Sequence, residues 1–280
     1  MTSPSPTILV LVLSVDREPW RGIELQGQRA TWSSPEAIPS GCEVVYYYGA
    51  EGLYRFVGRA AGRLVLLDGA GPFSRAARRA GESFVVRLSK RGARATATLT
   101  GDRLLTRVPD AHKFTLPKMI SALRWATAPE MPRFDYVYRT NTSSYLSLPR
   151  LQEIVTAMPR TNCYAGFIGQ YPSGRCQFAS GSGMLMSWDI AVRVGGTLTG
   201  WEWGTIDDVA LGAFLAASEI SPQPLPRVDT PSVDDVEELS SEELRDAFHF
   251  RCKSPSEPRT DAAIMRAIHR RLYGEPGAVQ

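Results

Sequence analysis

Residues 8–13 form the run that most constrains the fold, since all six are aliphatic: Ile, Leu, Val, Leu, Val, Leu. A strand with one wet face would alternate apolar and polar residues, so this run predicts a parallel strand covered on both faces. A second apolar run, residues 42–48, ends at Gly49. The segment between the runs is long enough for a helical crossover. We therefore predict an α/β fold with a doubly wound, mixed but mostly parallel sheet and flanking helices.

The composition indicates an ordinary globular chain. Its 280 residues are 43% hydrophobic and 22% charged, which suits one large domain, predicted over residues 7–273 between short tails at 1–6 and 274–280. The net charge of +3 is spread along the chain, which does not indicate a nucleic-acid-binding protein but is compatible with an anionic small ligand.

The cysteines and the first apolar run bear on the compartment. No two cysteines are closely spaced, so neither a zinc site nor a disulfide framework is indicated, and free thiols suit a reducing compartment. Residues 8–15 are too short to span a bilayer, and residues 1–6 lack the positive charge of a secretory signal. We expect a cytoplasmic protein without membrane insertion.

Further elements follow from periodicity and from turn-forming residues. Apolar spacing predicts helices near residues 117–125, 148–158, after 205 and over 261–272. Residues 58–107, rich in Arg, Gly and Ala, are expected to hold short strands. The Gly-rich residues 166–183 are predicted to be irregular, and residues 221–243, rich in Pro, Ser and acids, to form a mobile loop or a poorly packed excursion.

A polar cluster follows a strand-like run at residues 134–138. It reads Arg139, Thr140, Asn141, Thr142, Ser143, and contains no acid. By itself such a cluster is a turn signal at the end of a strand.

Several short motifs occur in an order that matters more than any one of them. They are Gln-Arg-Ala-Thr-Trp at 28–32, Gly-Asp-Arg-Leu-Leu at 101–105 with Asp110, Lys118 and Trp125 after it, Phe-Ala-Ser-Gly-Ser-Gly-Met-Leu-Met-Ser at 178–187, Asp-Asp-Val-Ala-Leu-Gly at 207–212, and Phe248-His249. In this order and spacing the chain resembles the β-1,3-galactosyltransferase and Fringe family of inverting GT-A glycosyltransferases, over nearly its whole length.

The resemblance implies transfer of a hexose or pentose from a nucleotide-sugar donor to an acceptor hydroxyl of a glycan, a small molecule or a modified nucleic acid. Residues 7–147 would form mainly the donor half, and residues 148–273 the acceptor half with a basic C-terminal segment. The expected donor-binding residues are Ser14, Arg29, Lys118, Arg139, Asn141, Ser143, His249, Arg251 and Lys253. The expected acceptor-binding residues are Gly181, Ser182, Trp203 and Asp207. Since Golgi transferases of this family carry an anchor, a bacterial or viral source is favoured.

Asp208 is the expected catalytic base, because inverting transfer needs one group to deprotonate the acceptor. The alternative is helix capping, in which Thr205 and Asp208 form a capping box at the start of a helix. The two roles are compatible. Asp207 is expected to cap the helix or to hold the acceptor.

The polar cluster bears on the metal requirement. The register set by Arg139 and Thr140 puts Asn141, Thr142 and Ser143 where the family has metal-binding acids, and hard divalent cations prefer charged oxygens. We therefore expect no required cofactor and at most weak binding of Mn²⁺ or Mg²⁺. Arg139, Arg251 and Lys253 are instead expected to converge on the donor diphosphate. The alternative is that Arg251, Lys253 and Arg259 form a solvated basic tail.

The sequence leaves two roles open for His249 and for the tryptophans near Asp207. His249 either donates to phosphate or is structural, and Trp201 and Trp203 either pack in the core or stack on a sugar ring. The chain could also be a non-catalytic nucleotide-sugar or glycan binding module on the same fold, or a viral transferase that glycosylates a modified DNA base.

Overall fold

A computed structural model describes residues 5–51, 72–170 and 176–274. Its strands are β1 (Ile8–Leu13), β2 (Cys42–Ala50), β3 (Thr98–Thr100), β4 (Arg103–Pro109), β5 (Tyr136–Asn141), β6 (Ser144–Leu146), β7 (Tyr164–Gln170), β8 (Gln177–Ser187), β9 (Gln223–Pro224), β10 (Val228–Asp229) and β11 (His249–Arg251). Its helices are α1 (Trp20–Ile23), which continues as a π-helix (Glu24–Gln28), α2 (Pro72–Arg94), α3 (Thr115–Ala126), α4 (Leu148–Thr156), α5 (Trp188–Gly196), α6 (Asp207–Ala216), α7 (Val233–Glu238), α8 (Ser241–Asp246) and α9 (Asp261–Tyr273).

The main sheet has eight strands in the order β3-β4-β2-β1-β5-β8-β7-β9. The central strands β4, β2, β1 and β5 are parallel, whereas β8 runs antiparallel to both β5 and β7. The predicted α/β class, with a large, mostly parallel mixed sheet flanked by helices, is confirmed. Strands from both predicted halves of the chain share this sheet.

Strand β1 lies in the middle of the sheet, between β2 and β5. Its even-numbered side chains Ile8, Val10 and Val12 join one buried cluster, and Leu9 and Leu11 join the other. Both faces are dry, which explains why this strand is aliphatic at every position. Each fully buried side chain of this kind contributes roughly 1.5–3 kcal/mol to folding.

A second, three-stranded sheet has the order β10-β11-β6. Strand β11 pairs antiparallel with β6, so that Arg251 lies opposite Ser144, directly after the polar turn at residues 141–143. Helix α9 packs Ile264, Met265 and Ile268 into the first cluster, as its periodicity predicted. The small sheet thereby brings the C-terminal basic segment to the end of β5.

The prediction of an irregular Gly-rich stretch at 166–183 was wrong for the described residues, because β7 and β8 form an antiparallel pair there. Residues 171–175 of that stretch lie outside the described residues. The described glycines of this stretch let neighbouring residues pack closely against the strands, and they do not form turns. A Cβ on Gly166 would lie 2.7 Å from the Cβ of Ala179, and one on Gly169 would lie 2.6 Å from the Phe178 ring. A glycine in a strand allows another part of the backbone to approach closely.

The prediction of a mobile loop at 221–243 was also wrong. Leu225, Thr230 and Val236 are buried, and the side chains of Ser232 and Ser240 cap α7 and α8. In the stretch 58–107, the short strands β3 and β4 agree with the prediction, whereas the long helix α2 was not predicted. Residues 58–71 of that stretch lie outside the described residues.

Among residues 5–51, 72–170 and 176–274, no helix combines the length and hydropathy needed to cross a bilayer.

Candidate functional site

The site lies where the strand order reverses direction. From β1 the chain builds β2 and β4 on one side, then returns to add β5 on the other side of β1. In open α/β sheets, ligands bind in the crevice beyond the carboxyl ends of the strands at such a switch point. Ser14 follows β1 at this edge, and Asn141 ends β5 there.

Residues 180–182, within β8, connect the groups around this crevice. The carbonyl of Gly181 accepts hydrogen bonds from Arg139 and Asn141, and its N–H donates to Asp208. The carbonyl of Ser182 accepts from Thr140 and Ser144. Predicted acceptor residues Gly181 and Ser182 therefore lie beside the predicted base and beside the polar turn.

Asp208 lies in the first turn of α6, with its carboxylate held by two backbone amides. Oδ2 accepts from Gly181 N at 2.9 Å, and Oδ1 accepts from Val209 N at 2.8 Å. Burial and then the neighbouring Asp207 raise the pKa of Asp208, whereas these hydrogen bonds and Arg139 oppose the rise. The carboxylate is only partly buried and is a stronger base than an ordinary aspartate.

The predicted capping box is not present. Ile206 occupies the N-cap position of α6 and no side chain caps the helix there. The capping interpretation of Asp207 is likewise wrong, because this carboxylate forms a buried ion pair with Arg139.

Arg139 is buried beneath the crevice. Its Nε donates to the Tyr47 hydroxyl at 2.9 Å, its Nη1 to the Gly181 carbonyl, and its Nη2 contacts Asp207. Asp207 neutralises the charge of Arg139. Arg139 therefore acts mainly by holding its neighbours, such as Gly181, in place. Asp207 is itself buried, and its carboxylate contacts Arg139 rather than facing the solvent from which an acceptor substrate would approach.

Lys118 is a second buried cation, and its ammonium lies 2.8 Å from Asp110. Burial lowers the pKa of Lys118, and Asp110 opposes the shift. Both groups of this pair are nearly inaccessible to solvent. The structure therefore gives Lys118 a buried internal partner, Asp110.

The turn after β5 presents oxygens to basic side chains. Asn141 Nδ2 donates to Gly181 O at 3.0 Å, while its Oδ1 accepts from Ser143 N at 3.1 Å and from Arg251 Nη1 at 2.8 Å. Ser143 Oγ accepts from Arg259 Nη2 at 2.9 Å. The structure thus brings Asn141, Ser143 and Arg251 together as predicted, and it adds Arg259, which the sequence suggested only as part of a basic tail.

Arg227 was missed by the sequence analysis. Its Nη1 donates to Ser182 Oγ at 3.0 Å and to Ser180 Oγ at 3.4 Å, and its guanidinium carbon lies 3.9 Å from the Phe167 ring centroid. No motif surrounds this residue, since it lies in the Pro-rich segment that was predicted to be mobile. Only the pairing of β10 with β11 brings it to the site.

His249 is buried behind the turn. Its Nε2 lies 3.2 Å from Ser144 Oγ and its Nδ1 lies 3.3 Å from the Tyr138 hydroxyl. Burial, followed by Arg227 and Arg251, lowers the pKa of His249 to about 3, so the ring is neutral at neutral pH. These contacts favour the structural alternative over a direct contact with phosphate.

Ser14 and Arg29 also have internal partners. Ser14 Oγ donates to Glu24, whose carboxylate accepts from Tyr48 and, at 2.7 Å, from Arg29 Nε. Arg29 further pairs with Asp102. These two predicted donor-binding residues are held within the protein, and the buried Glu24 that joins them carried no sequence signal.

Lys253 and Trp203 differ from expectation. Lys253 is exposed beyond the end of β11, with no hydrogen bond or ion pair to the turn among the described residues. Trp203 is 6% exposed and belongs to the second core cluster, and Trp201 stacks on Phe214 with ring centroids 4.0 Å apart. Packing, not sugar stacking, is the role that their burial supports.

The oxygens at the turn do not suit a divalent cation. Asn141, Thr142 and Ser143 offer neutral ligands, and the amide oxygen of Asn141 already accepts from a guanidinium. Hard cations need carboxylates, and a fixed positive charge next to the site opposes their binding. In the described part of the chain, no three His, Cys, Asp or Glu residues are grouped to hold a metal ion.

A cavity of about 510 Å³ lies at the carboxyl end of β2, beside β3 and the amino end of β4, and Tyr48, Thr100 and Arg103 are among its lining residues. Arg103 lies over the Tyr48 ring at 4.5 Å. Another cavity, of about 610 Å³, lies between Trp32, Leu148 and Tyr273. The cavity of about 510 Å³ is adjacent to the Ser14 and Glu24 network, because Tyr48 belongs to both.

Neither a protein-family model nor a curated protein matches this chain.

Proposed function

We propose that this protein is an inverting glycosyltransferase of the GT-A type, which moves a sugar from a nucleotide-sugar donor to an acceptor hydroxyl. The observation that carries the proposal is the position of the Asp208 carboxylate. It lies at the switch-point crevice, is fixed by Gly181, and is joined through residues 180–182 to the polar turn at residues 141–143. A base and a group of anion-binding side chains thus border one crevice.

In the proposed reaction, Asp208 accepts the proton of the acceptor hydroxyl. The acceptor oxygen forms a bond to the anomeric carbon from one face as the bond to the diphosphate oxygen breaks on the other. The departing nucleoside diphosphate retains the electron pair of that bond. The raised pKa of Asp208 suits this role, because a stronger base takes a hydroxyl proton more readily.

The donor would place its diphosphate at the turn after β5 and its nucleoside toward the carboxyl end of β2. The cavity there, of about 510 Å³, is in the size range of small-molecule sites. The transfer is proposed to proceed without metal, because the guanidinium groups of Arg251 and Arg259 lie against the turn where a cation would otherwise be held.

The test is a panel of nucleotide sugars, with nucleoside diphosphate release as the readout for wild type and Asp208→Asn. We expect the variant to lose about 100- to 10,000-fold in turnover, the contribution of a general base, with donor affinity kept. Asp234→Asn, an exposed aspartate in the first turn of α7, is the matched control and should retain wild-type turnover.

If the wild type binds a donor but never releases its diphosphate, the protein is a binding module and the proposal fails. Equal turnover by wild type and Asp208→Asn would remove Asp208 from the role of base.

A further inference from the structure

Arg251 is a largely buried cation without an acidic partner. In the part of the chain that the structure describes, no carboxylate forms an ion pair with its guanidinium, and its one hydrogen bond goes from Nη1 to the neutral Asn141 oxygen. Burial, followed by the charge of Arg227, lowers the pKa of Arg251, and the more distant charge of Asp261 opposes the shift. A buried charge without a paired carboxylate is costly, and strongly perturbed groups cluster at functional sites.

Two further arginines flank Arg251 on separate elements. Arg227 precedes β10 and Arg259 precedes α9. One edge of each guanidinium is held by its own acid, Asp229 or Asp261. The other edge of Arg227 donates to the 180–182 segment, whereas Arg259 donates to Ser143 from Nη2, the nitrogen that also contacts Asp261.

The charges in this group do not balance. Three guanidiniums face two carboxylates, and that of Asp229 is 59% exposed and therefore screened by water. Arg251 keeps most of its donors unused, since among the described residues only Nη1 is hydrogen-bonded. A guanidinium presents its donors as a fork that fits two oxygens of one phosphate.

We propose that Arg227, Arg251 and Arg259 form a metal-free binding site for a diphosphate, in which Arg251 is the main anchor. The proposal rests on the proposed function, because the diphosphate it would hold is that of the nucleotide-sugar donor. As the sugar–oxygen bond breaks, negative charge grows on the diphosphate, and guanidiniums already fixed in place stabilise it.

This site differs from the set of cations that the sequence suggested. Arg139 is neutralised by Asp207, and Lys253 is exposed without a described contact to the turn. Arg227 and Arg259 take their places. Each of these two guanidiniums contacts an acid and an aromatic ring, and these contacts fix its orientation before a ligand binds.

The experiment is a calorimetric titration of the full chain with inorganic pyrophosphate in excess EDTA. We expect Arg251→Gln to weaken binding about 10- to 100-fold, the range for a lost charge-assisted contact. Arg251→Lys should bind with intermediate affinity, because it keeps the charge but loses the fork. The exposed Arg133→Gln is the matched control and should bind as wild type does.

Thermal unfolding without ligand separates binding from folding. A purely structural Arg251 would lower the melting temperature when replaced by Gln. Relief of an unpaired charge predicts an unchanged or higher melting temperature together with the loss of pyrophosphate binding.

Three results would overturn the site: equal affinity of wild type and Arg251→Gln, binding only after Mn²⁺ is added, or a clear preference for duplex DNA with steep salt dependence. The proposed function fails separately. If pyrophosphate binds through Arg251 but no nucleotide sugar is turned over, the site stands and the enzyme does not. If turnover in EDTA is indifferent to Arg251→Gln, the enzyme stands and the site does not.

Discussion

Replacing His249 should flatten the dependence of stability on pH. The ring is enclosed between Tyr138 and Ser144, and Arg227 and Arg251 face it. Its pKa is lowered to about 3 in the folded protein. In the unfolded chain an ordinary histidine has a pKa of about 6.5.

The sign follows from proton uptake. Between these two pKa values the unfolded chain binds one more proton than the folded protein, so stability rises with pH across this window. The contribution of His249 is fully present above the unfolded pKa and is lost as pH falls toward about 3. Between about pH 7 and about pH 4.5, the loss assigned to this one ring is about 2.5 kcal/mol.

The assay is urea unfolding of wild type and His249→Gln at several pH values. Wild type should lose about 2.5 kcal/mol more than the variant on acidification over that range, whatever the variant loses at neutral pH. His112→Gln, at an exposed histidine, serves as the control and should follow the wild-type curve. Parallel curves for wild type and His249→Gln would refute the buried neutral ring.

Two further predictions concern the crevice. Gly181→Ala should destabilise the protein by about 1–3 kcal/mol and reduce turnover, because the added Cβ would lie 3.0 Å from Arg139 Nη1 and 3.2 Å from Asp208 Oδ2. Gly196→Ala, whose Cβ would meet nothing within 4 Å, is the control, and unfolding free energies compare the two. Arg139→Met should cost about 3–5 kcal/mol in urea unfolding, since it leaves Asp207 buried and unpaired. A loss below about 1 kcal/mol would show that water or another group satisfies Asp207.

The parts of the sheet that are buried on both faces could be predicted, because burial restricts them to apolar residues. An all-aliphatic β1 follows from two dry faces, and the periodicity of α9 shows the face that Ile264 and Ile268 present to the core. The strands β7 and β8 were not predictable, because glycine usually indicates a turn. Here Gly166 and Gly183 are small so that a neighbouring strand or ring fits against them.

Only those residues of the site that lie in local sequence motifs could be predicted. Asn141, Gly181 and Asp208 stood out because they lie in short motifs, and the structure brings them into one hydrogen-bonded group. Charge pairing across the fold is not visible in a sequence. The neutralisation of Arg139 by Asp207 and the approach of Arg227 to Ser182 both depend on which elements pack together.

The stereochemistry of transfer tests the one-base mechanism most directly. Proton NMR of freshly formed product, recorded in excess EDTA, reports the configuration at the anomeric carbon. A single displacement assisted by Asp208 predicts inversion relative to the donor. Retention of configuration, or no product from any nucleotide sugar, would contradict it.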